Sequence, residues 1–432
     1  MKQKICLITL GCPKNLVDSE TILALLGQEN YILTDMDEAD IIIVNTCGFI
    51  KDAIDESLTV IKDLCRRKKR GQKVVVYGCL VNRYGNNFPH IKGINMLVEG
   101  VNPIYLVRAI KEETKKKFII GDCSSIGNHP RFISTFPYAY IKISDGCDNL
   151  CSYCIIPEIR GHLRSRKIGD IIKEAENLEA MGIKEVIIVS QDTGNYGRDI
   201  EGRCILDKLL LQLCRYNFHW IRVMYIHPAH INEKIIEVMA TNRNICRYLD
   251  IPLQHIHPDI LKKMNRPIID YNRVIDFIRK AIPEIKIRTT FIVGFPGEKE
   301  EHFKMLVDFV REKEFDRLGV FRYSREGGTP AYNLKYQVDD EIKKERERII
   351  MEIQRKISRR KLEKFLGKTI DVLIESKEGD YFIGRTEFDA PDIDGTVYIR
   401  SKDIVKSGDI CKIKIISSDD YDLYGKLLKK NN

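Results

Sequence analysis

Apolar and polar positions repeat one arrangement along the first 120 residues. "KICLITLGC" is an apolar run ending at Cys12, and a helix-like stretch follows from about Val17 to Leu26. "ADIIIVNTCGF" is an apolar strand ending near Cys47, followed by the helical period of "KDAIDESLTVIKDLCRR". "KVVVYGCLVNRYG" repeats this with Cys79. Unbroken apolar strands alternating with helices predict an open parallel sheet buried on both faces. Residues 121–137, "GDCSSIGNHPRFISTFP", carry Gly, Ser and Pro without a period and read as a linker. A second α/β series follows, with strands predicted at 138–144, 185–192, 220–226, 247–253, 286–294 and 317–324. Six such units predict a partial (β/α)6 barrel of the TIM type, with its chemistry at the strand C-termini. A charged amphipathic helix is predicted over 339–367, and five short strands in the last ~65 residues predict a small OB-like barrel. The fold class is therefore α/β with an all-β appendage, divided as 1–120, a linker at 121–137, 138–364 and 365–432.

The length, 432 residues, agrees with several domains, and 44% hydrophobic content is enough for real cores. No run approaches the ~20 apolar residues of a membrane span. The start, "MKQKICLITLGC", superficially resembles a lipoprotein signal, but its apolar run is short and a helix-like pattern follows at once. The chain reads as cytoplasmic, with no membrane partner. The formal charge is +9, unevenly spread: from Glu363 onward fourteen acidic residues face twelve basic ones. The excess positive charge thus lies in the first two domains, where it allows a nucleic-acid or ribosomal partner.

Thirteen cysteines change the picture further. An odd, unevenly spaced set in a large chain points to metal or catalysis more than to disulfides. "GCDNLCSYCIIP" sets Cys147, Cys151 and Cys154 at C-x3-C-x2-C, just after the first strand of the second series. A closed zinc site needs four ligands, usually from two paired motifs. Three thiolates can instead hold three irons of a [4Fe–4S] cluster and leave the fourth open. A fourth ligand from elsewhere, or plain structural thiols, are the competing readings. Cys12, Cys47 and Cys79 end three successive strands, 35 and 32 residues apart, each beside a glycine (Gly11, Gly48 and Gly78). In open α/β sheets sites form beyond the carboxyl ends of strands, so three distant segments could present thiols to one point. Buried, incidental thiols are the bland alternative. The remaining cysteines have no such placement.

"CDNLCSYC" fits the motif of the radical S-adenosylmethionine (SAM) enzymes. The resemblance implies that SAM chelates the open iron and is cleaved to a 5′-deoxyadenosyl radical that takes hydrogen from an unactivated carbon, the cofactor supplying that chemistry. Tyr153 precedes the last cysteine. Gln191 and Asp192 in "SQDTGNYG", with Gly294 and Glu298 in "TFIVGFPGE", are candidate SAM contacts at strand ends, against ordinary loop chemistry. Gln254 and His255 stand at another strand end, where a lone His is more often a loop hydrogen-bonder. Arg160 in "PEIRGHLRSR" belongs either near the cluster or on the surface. With "TLGCPKN", "NTCGF" and "YGCL" included, the whole chain resembles the methylthiotransferase family, ending in a TRAM-type barrel. That resemblance implies a second [4Fe–4S] cluster on Cys12, Cys47 and Cys79 that holds the sulfur to be inserted. It also implies SAM as both methyl donor and radical source. No separate acid or base residue is assigned.

Family members modify either tRNA adenosines or an aspartate of a ribosomal protein. "TLGCPKNLVDSE", "CIIPEIRGHLRSR" and "DAPDIDGTVYI" are similar to the RimO-type branch, whose target is an aspartate of protein twelve of the small ribosomal subunit. The tRNA branch, MiaB-like, typically has Gln-Met-Asn where this chain has Pro13-Lys14-Asn15. The final barrel is slightly acidic, and Glu387, Asp389, Asp392 and Asp394 fall in one loop. Such a loop would attract a basic protein substrate, with a solvated acidic turn as the bland reading. Contact with the ribosome stays open, as does a non-catalytic, metal-bearing RNA-binding protein. The electron donor and sulfur source are not specified.

Overall fold

A computed structural model describes residues 2–112, 118–120, 127, 129–401 and 405–430. Cys123 and much of the expected linker lie outside these. The chain forms two compact units. The first comprises Met1–Ser134, Lys142–Ile171 and Ser324–Tyr332; the second comprises Thr135–Ile141, Ile172–Tyr323 and Asn333–Asn432.

The first unit is built on a parallel sheet. Its strands are β1 (Lys4–Thr9), β2 (Ile32–Leu33), β3 (Ile41–Thr46), β4 (Lys73–Gly78), β5 (Met96–Glu99) and β6 (Phe118–Ile120), in the order β2-β1-β3-β4-β5-β6. The apolar run at the start of the chain is thus a sheet strand. Helices α1 (Pro13–Gln28), α2 (Lys51–Arg67), α3 (Cys79–Tyr84) and α4 (Pro103–Lys111) connect the strands. Alternation explains the unbroken apolar strands. Ile41 and Ile43 pack with Ile22 and Leu26 of α1 and Leu106 of α4. Ile42 and Val44 face Ile54 and Ile61 of α2 and Leu80 of α3. Helix α1 begins four residues before the periodicity indicates, because Pro13 occupies its first turn and Cys12 is the N-cap.

The second unit carries the other parallel series. Its strands are β7 (Tyr138–Lys142, whose last residue belongs to the first unit), β10 (Glu185–Val189), β11 (Trp220–Val223), β12 (Tyr248–Asp250), β13 (Lys286–Val293) and β14 (Arg317–Arg322). They form the triplets β11-β10-β7 and β12-β13-β14, joined by a parallel bridge from Ile221 to Ile245. All six expected strands are present, slightly shorter than the apolar runs. In the chain between β7 and β10, and belonging to the first unit, two short strands, β8 (Ser144–Asp145) and β9 (Arg164–Ser165), pair antiparallel around the cysteine loop, which also carries helix α5 (Ile156–Arg160). A long helix, α6 (Asp340–Glu363), leads to the final barrel. That barrel is closed in the order β15-β16-β17-β19-β18, from β15 (Thr369–Glu378), β16 (Tyr381–Arg385), β17 (Val397–Arg400), β18 (Ile410–Ser418) and β19 (Leu423–Lys430). Val372, Ile374, Val397, Ile399, Cys411 and Ile413 fill its interior.

Candidate cluster-binding site

The ends of β1, β3 and β4 meet, and the glycines beside the cysteines are what allow it. A Cβ on Gly11 would stand 2.7 Å from Cys47 Cβ and 3.0 Å from Cys47 Sγ. One on Gly48 would stand 2.9 Å from the Cys79 carbonyl. Gly11 and Gly78 also hold φ of +92° and +98°, which L side chains rarely adopt. Asn15 ties these ends together. Its Nδ2 donates to the carbonyls of Leu10 (2.8 Å) and Thr46 (3.0 Å), and its Oδ1 lies 3.7 Å from Cys79 Sγ.

The loop of Cys147, Cys151 and Cys154 is held by close backbone contact. Gly146 has φ +75°, and a Cβ there would overlap the His162 carbonyl oxygen. Cys147 N donates to Gly161 O at 3.1 Å, and Cys154 N to Cys151 O at 3.0 Å. All three side chains are part-exposed, as a ligand-bearing loop requires.

Both sets of cysteines belong to the first unit and adjoin one another there. Cys79 packs against Ile155 and Ile159, the residues just beyond Cys154. Asn82 Nδ2 donates to Ile159 O at 3.1 Å. The 324–332 segment touches both loops. Glu326 accepts from Lys51 N (2.8 Å) and Arg83 Nη2 (2.7 Å), while Arg83 Nη1 donates to Gly48 O (2.9 Å) and Ala331 N to Ser152 O (2.8 Å).

Arg160 is buried, not superficial, and lies beside the cysteines. Its Nη1 donates to Asp18 Oδ2 and Asp145 Oδ2, both at 3.0 Å, and its Nη2 to Asn15 Oδ1 at 2.6 Å. Lys142 Nζ pairs with Asp18 and, at 3.1 Å, with Asp145. Burial opposes ionisation of Cys12, yet Lys14, Arg160 and the N–H groups of Asn15 and Lys14 together hold its thiol below the usual range. Burial pushes Cys47 up to about 11 and raises Cys79, with Arg160 opposing both shifts. Three thiols at closely approaching strand ends, with a fixed cation and backbone donors beside them, fit the anionic thiolate ligation of an iron–sulfur cluster.

The remaining candidates have specific places. Asp192 accepts from His227 N (3.1 Å) and pairs with His230 Nδ1 (2.6 Å), ordering the turn after β11. Glu298 accepts from Gly294 N (2.8 Å), Phe295 N (3.2 Å) and Arg346 Nη1 (2.8 Å), and burial pushes it up to about 7. Gly294 has φ +71°, and Lys343 methylenes occupy the space a Cβ would need. Gln191 and Tyr153 are half-buried. His255 is buried, accepts from His257 N at 3.0 Å and is pushed down to about 3 by burial, so it is neutral. Gln254 bridges to Phe291 by its backbone.

The acidic barrel loop differs from its expected use as a basic-protein dock. Asp394 pairs with Arg288 Nη1 (2.7 Å) and accepts from Tyr248 OH (2.8 Å); Asp389 pairs with Arg317. Glu387 accepts from Arg247 N at 3.0 Å. Only Asp392 is exposed. Arginines buried in the sheet strands need counter-charges, and this loop supplies them. Sequence reasoning did not single out Asp18, Lys142 or Asp145, nor the organising role of Asn15. The available signal was Lys142 and Asp145 inside an otherwise apolar strand segment, where a buried charge needs a partner. His257, Asp259 and His302 bring three possible ligand atoms within 4.8 Å. Both Nδ1 atoms already accept backbone N–H bonds, from Asp259 and Lys299. That places the neutral rings' protons on Nε2 and disfavours metal ligation.

Comparison with known proteins agrees with this geometry. A family described as uncharacterized protein family UPF0004 matches residues 4–100, the radical SAM superfamily matches 141–310 and a TRAM domain matches 366–428. The ribosomal protein uS12 methylthiotransferase RimO of Acetivibrio thermocellus is 43% identical over the full length of both chains. That of Clostridioides difficile is 45% identical, covering 98% of this chain and 99% of its own. The chain belongs to the ribosomal protein uS12 methylthiotransferase family. As a family member it is a radical SAM methylthiotransferase, an enzyme whose cofactors are SAM and [4Fe–4S] clusters. A solved structure of a radical SAM methyltransferase, TsrM, from Kitasatospora setae shares the fold, with TM-score 0.57 at 16% identity over 77% of each chain. The cobalamin-dependent SAM radical enzyme OxsB aligns with TM-score 0.54 at 12% identity, over 81% of this chain and 56% of its own. Among the described residues no helix is long and apolar enough to cross a membrane.

Proposed function

We propose that this methylthiotransferase adds a methylthio group to the β-carbon of an aspartate in ribosomal protein uS12, in the cytoplasm. Cys147, Cys151 and Cys154 would hold one [4Fe–4S] cluster with an open iron for SAM. Cys12, Cys47 and Cys79 would hold the other. The observation that carries the reading is the meeting of the second set at three glycine-opened strand ends, inside the compact unit that also contains the first. Full-length similarity to uS12 methylthiotransferases supports the substrate.

When bound, SAM and the clusters supply one-electron sulfonium cleavage, hydrogen abstraction and the methylthio group. The chain's own residues do the positioning. Gly146 and the β8–β9 pair fix the Cys147–Cys154 loop, and Asn15 fixes the strand ends that carry the other set. Glu298 holds the Gly294–Phe295 turn and Asp192 the His227–His230 turn, so we assign both carboxylates to positioning. Tyr153, in the same loop as Cys147, Cys151 and Cys154, is a proposed SAM contact. The division into 1–120, 138–364 and 365–432 is proposed as the functional one, and the three family matches fall inside it.

Mass spectrometry of uS12 and of tRNA from cells with and without the gene checks the substrate. The expected result is uS12 lighter by one methylthio substituent in the deletion, with tRNA unchanged. Loss of the group from a tRNA adenosine, with uS12 unaltered, would overturn the assignment.

A further inference from the structure

Arg160, Lys142, Asp18 and Asp145 form a buried group of two cations and two carboxylates. Their side chains are at most 6% exposed. The charges sum to zero, but they are not evenly arranged. Arg160 is the cation at the cysteine end. Its guanidinium shares Asn15 Oδ1 with Cys79 Sγ, at 2.6 Å and 3.7 Å. Lys142 is bonded to the same two carboxylates. The group thus presents a cation, the Arg160 guanidinium, toward Cys79 through Asn15. Two further features make the guanidinium immobile. Its fork is held at three points, by Asp18, Asp145 and Asn15, and its helix α5 follows directly on the Cys147–Cys154 loop.

We infer that Arg160 is a positioning residue that raises the reduction potential of the cluster on Cys12, Cys47 and Cys79 by placing a buried positive charge beside it. This rests on the cluster reading proposed above. The physical cause is direct. Adding an electron to a thiolate-ligated cluster adds negative charge, and a nearby cation in a low-dielectric site stabilises the reduced form. Arginine suits the task because it stays ionised when buried and its fork meets several acceptors at once. Asp18 and Asp145 hold the cation against its own desolvation cost.

The experiment uses the full-length chain with Cys147, Cys151 and Cys154 all changed to Ala, so that only the other cluster remains. It is reconstituted anaerobically and titrated potentiometrically with electron paramagnetic resonance detection. If this background holds no iron, the cluster reading fails and Arg160 is not at issue. If it holds iron, Arg160→Gln should move the potential negative by at least a tenfold change in the reduction equilibrium, about 59 mV for one electron. Arg160→Lys should recover most of that shift. An unchanged potential in Arg160→Gln overturns the inference. If Arg160→Gln cannot retain iron, Arg160→Lys decides: iron at the parent potential supports a requirement for the charge, and loss of iron there too reduces Arg160 to a structural residue.

Discussion

Two of the buried charge networks among the described residues differ in what they face. In the first unit, Arg160 and Lys142 are balanced by Asp18 and Asp145, and this charge network reaches Cys79 through Asn15. In the second, Glu185 accepts from Arg222 (2.6 Å) and from Arg385 of the small barrel (2.7 Å), while Arg288 and Arg317 meet Asp394 and Asp389. The second network draws on the first residues of strands, Glu185 of β10 and Arg317 of β14. The first begins at Lys142, the last residue of β7. Barrel folds place chemistry at the C-terminal ends of strands and leave the N-terminal ends to stability. The same ingredients, arginine and carboxylate out of water, fasten the small barrel to the sheet in one place and direct charge at thiols in the other.

The largest expected effect breaks the cysteine region alone. Gly146→Ala meets the His162 carbonyl and an unfavourable φ, so the Cys147 loop should lose its cluster, about four of eight iron atoms by assay. The other set should retain its own. Next come two variants with similar costs and different readouts. Glu185→Gln and Asp145→Asn each strand buried guanidinium or ammonium groups, and each should lower unfolding stability by about 3–5 kcal/mol in urea titrations. Only Asp145→Asn should change the spectrum of the strand-end cluster. Equal spectral change in Glu185→Gln would erase the distinction between the networks. Within the barrel loop, Asp394→Asn should cost about 1–3 kcal/mol, because Arg288 and Tyr248 lose an ionised acceptor. Asp392→Asn, at the exposed position, should stay within about 0.5 kcal/mol.

Period and apolar continuity made most of the architecture legible, since strands buried on both faces and amphipathic helices write themselves into composition. Strands β2, β5 and β6 were not marked: two residues in β2 are too few to show a period, and β5 is a four-residue apolar stretch without a cysteine-bearing end. The cysteine positions were legible because a thiol beside a glycine at three strand ends is a rare pattern. The role of the acidic loop was not. Glu387, Asp389 and Asp394 look like a docking surface until the arginines of β11, β13 and β14 are seen to need partners. In the sequence Asn15 stands out only as part of Pro13-Lys14-Asn15, since its value lies in long-range hydrogen bonds to residues 46 and 160.

The most direct check on the whole account is an iron and sulfide count on anaerobically reconstituted protein and two triple variants. About eight iron atoms per chain are expected in the wild type, and about four when either Cys12, Cys47 and Cys79 or Cys147, Cys151 and Cys154 become Ala. SAM cleavage should survive only the first triple change. Four iron atoms in the wild type, or SAM cleavage that persists without Cys147, Cys151 and Cys154, would contradict it.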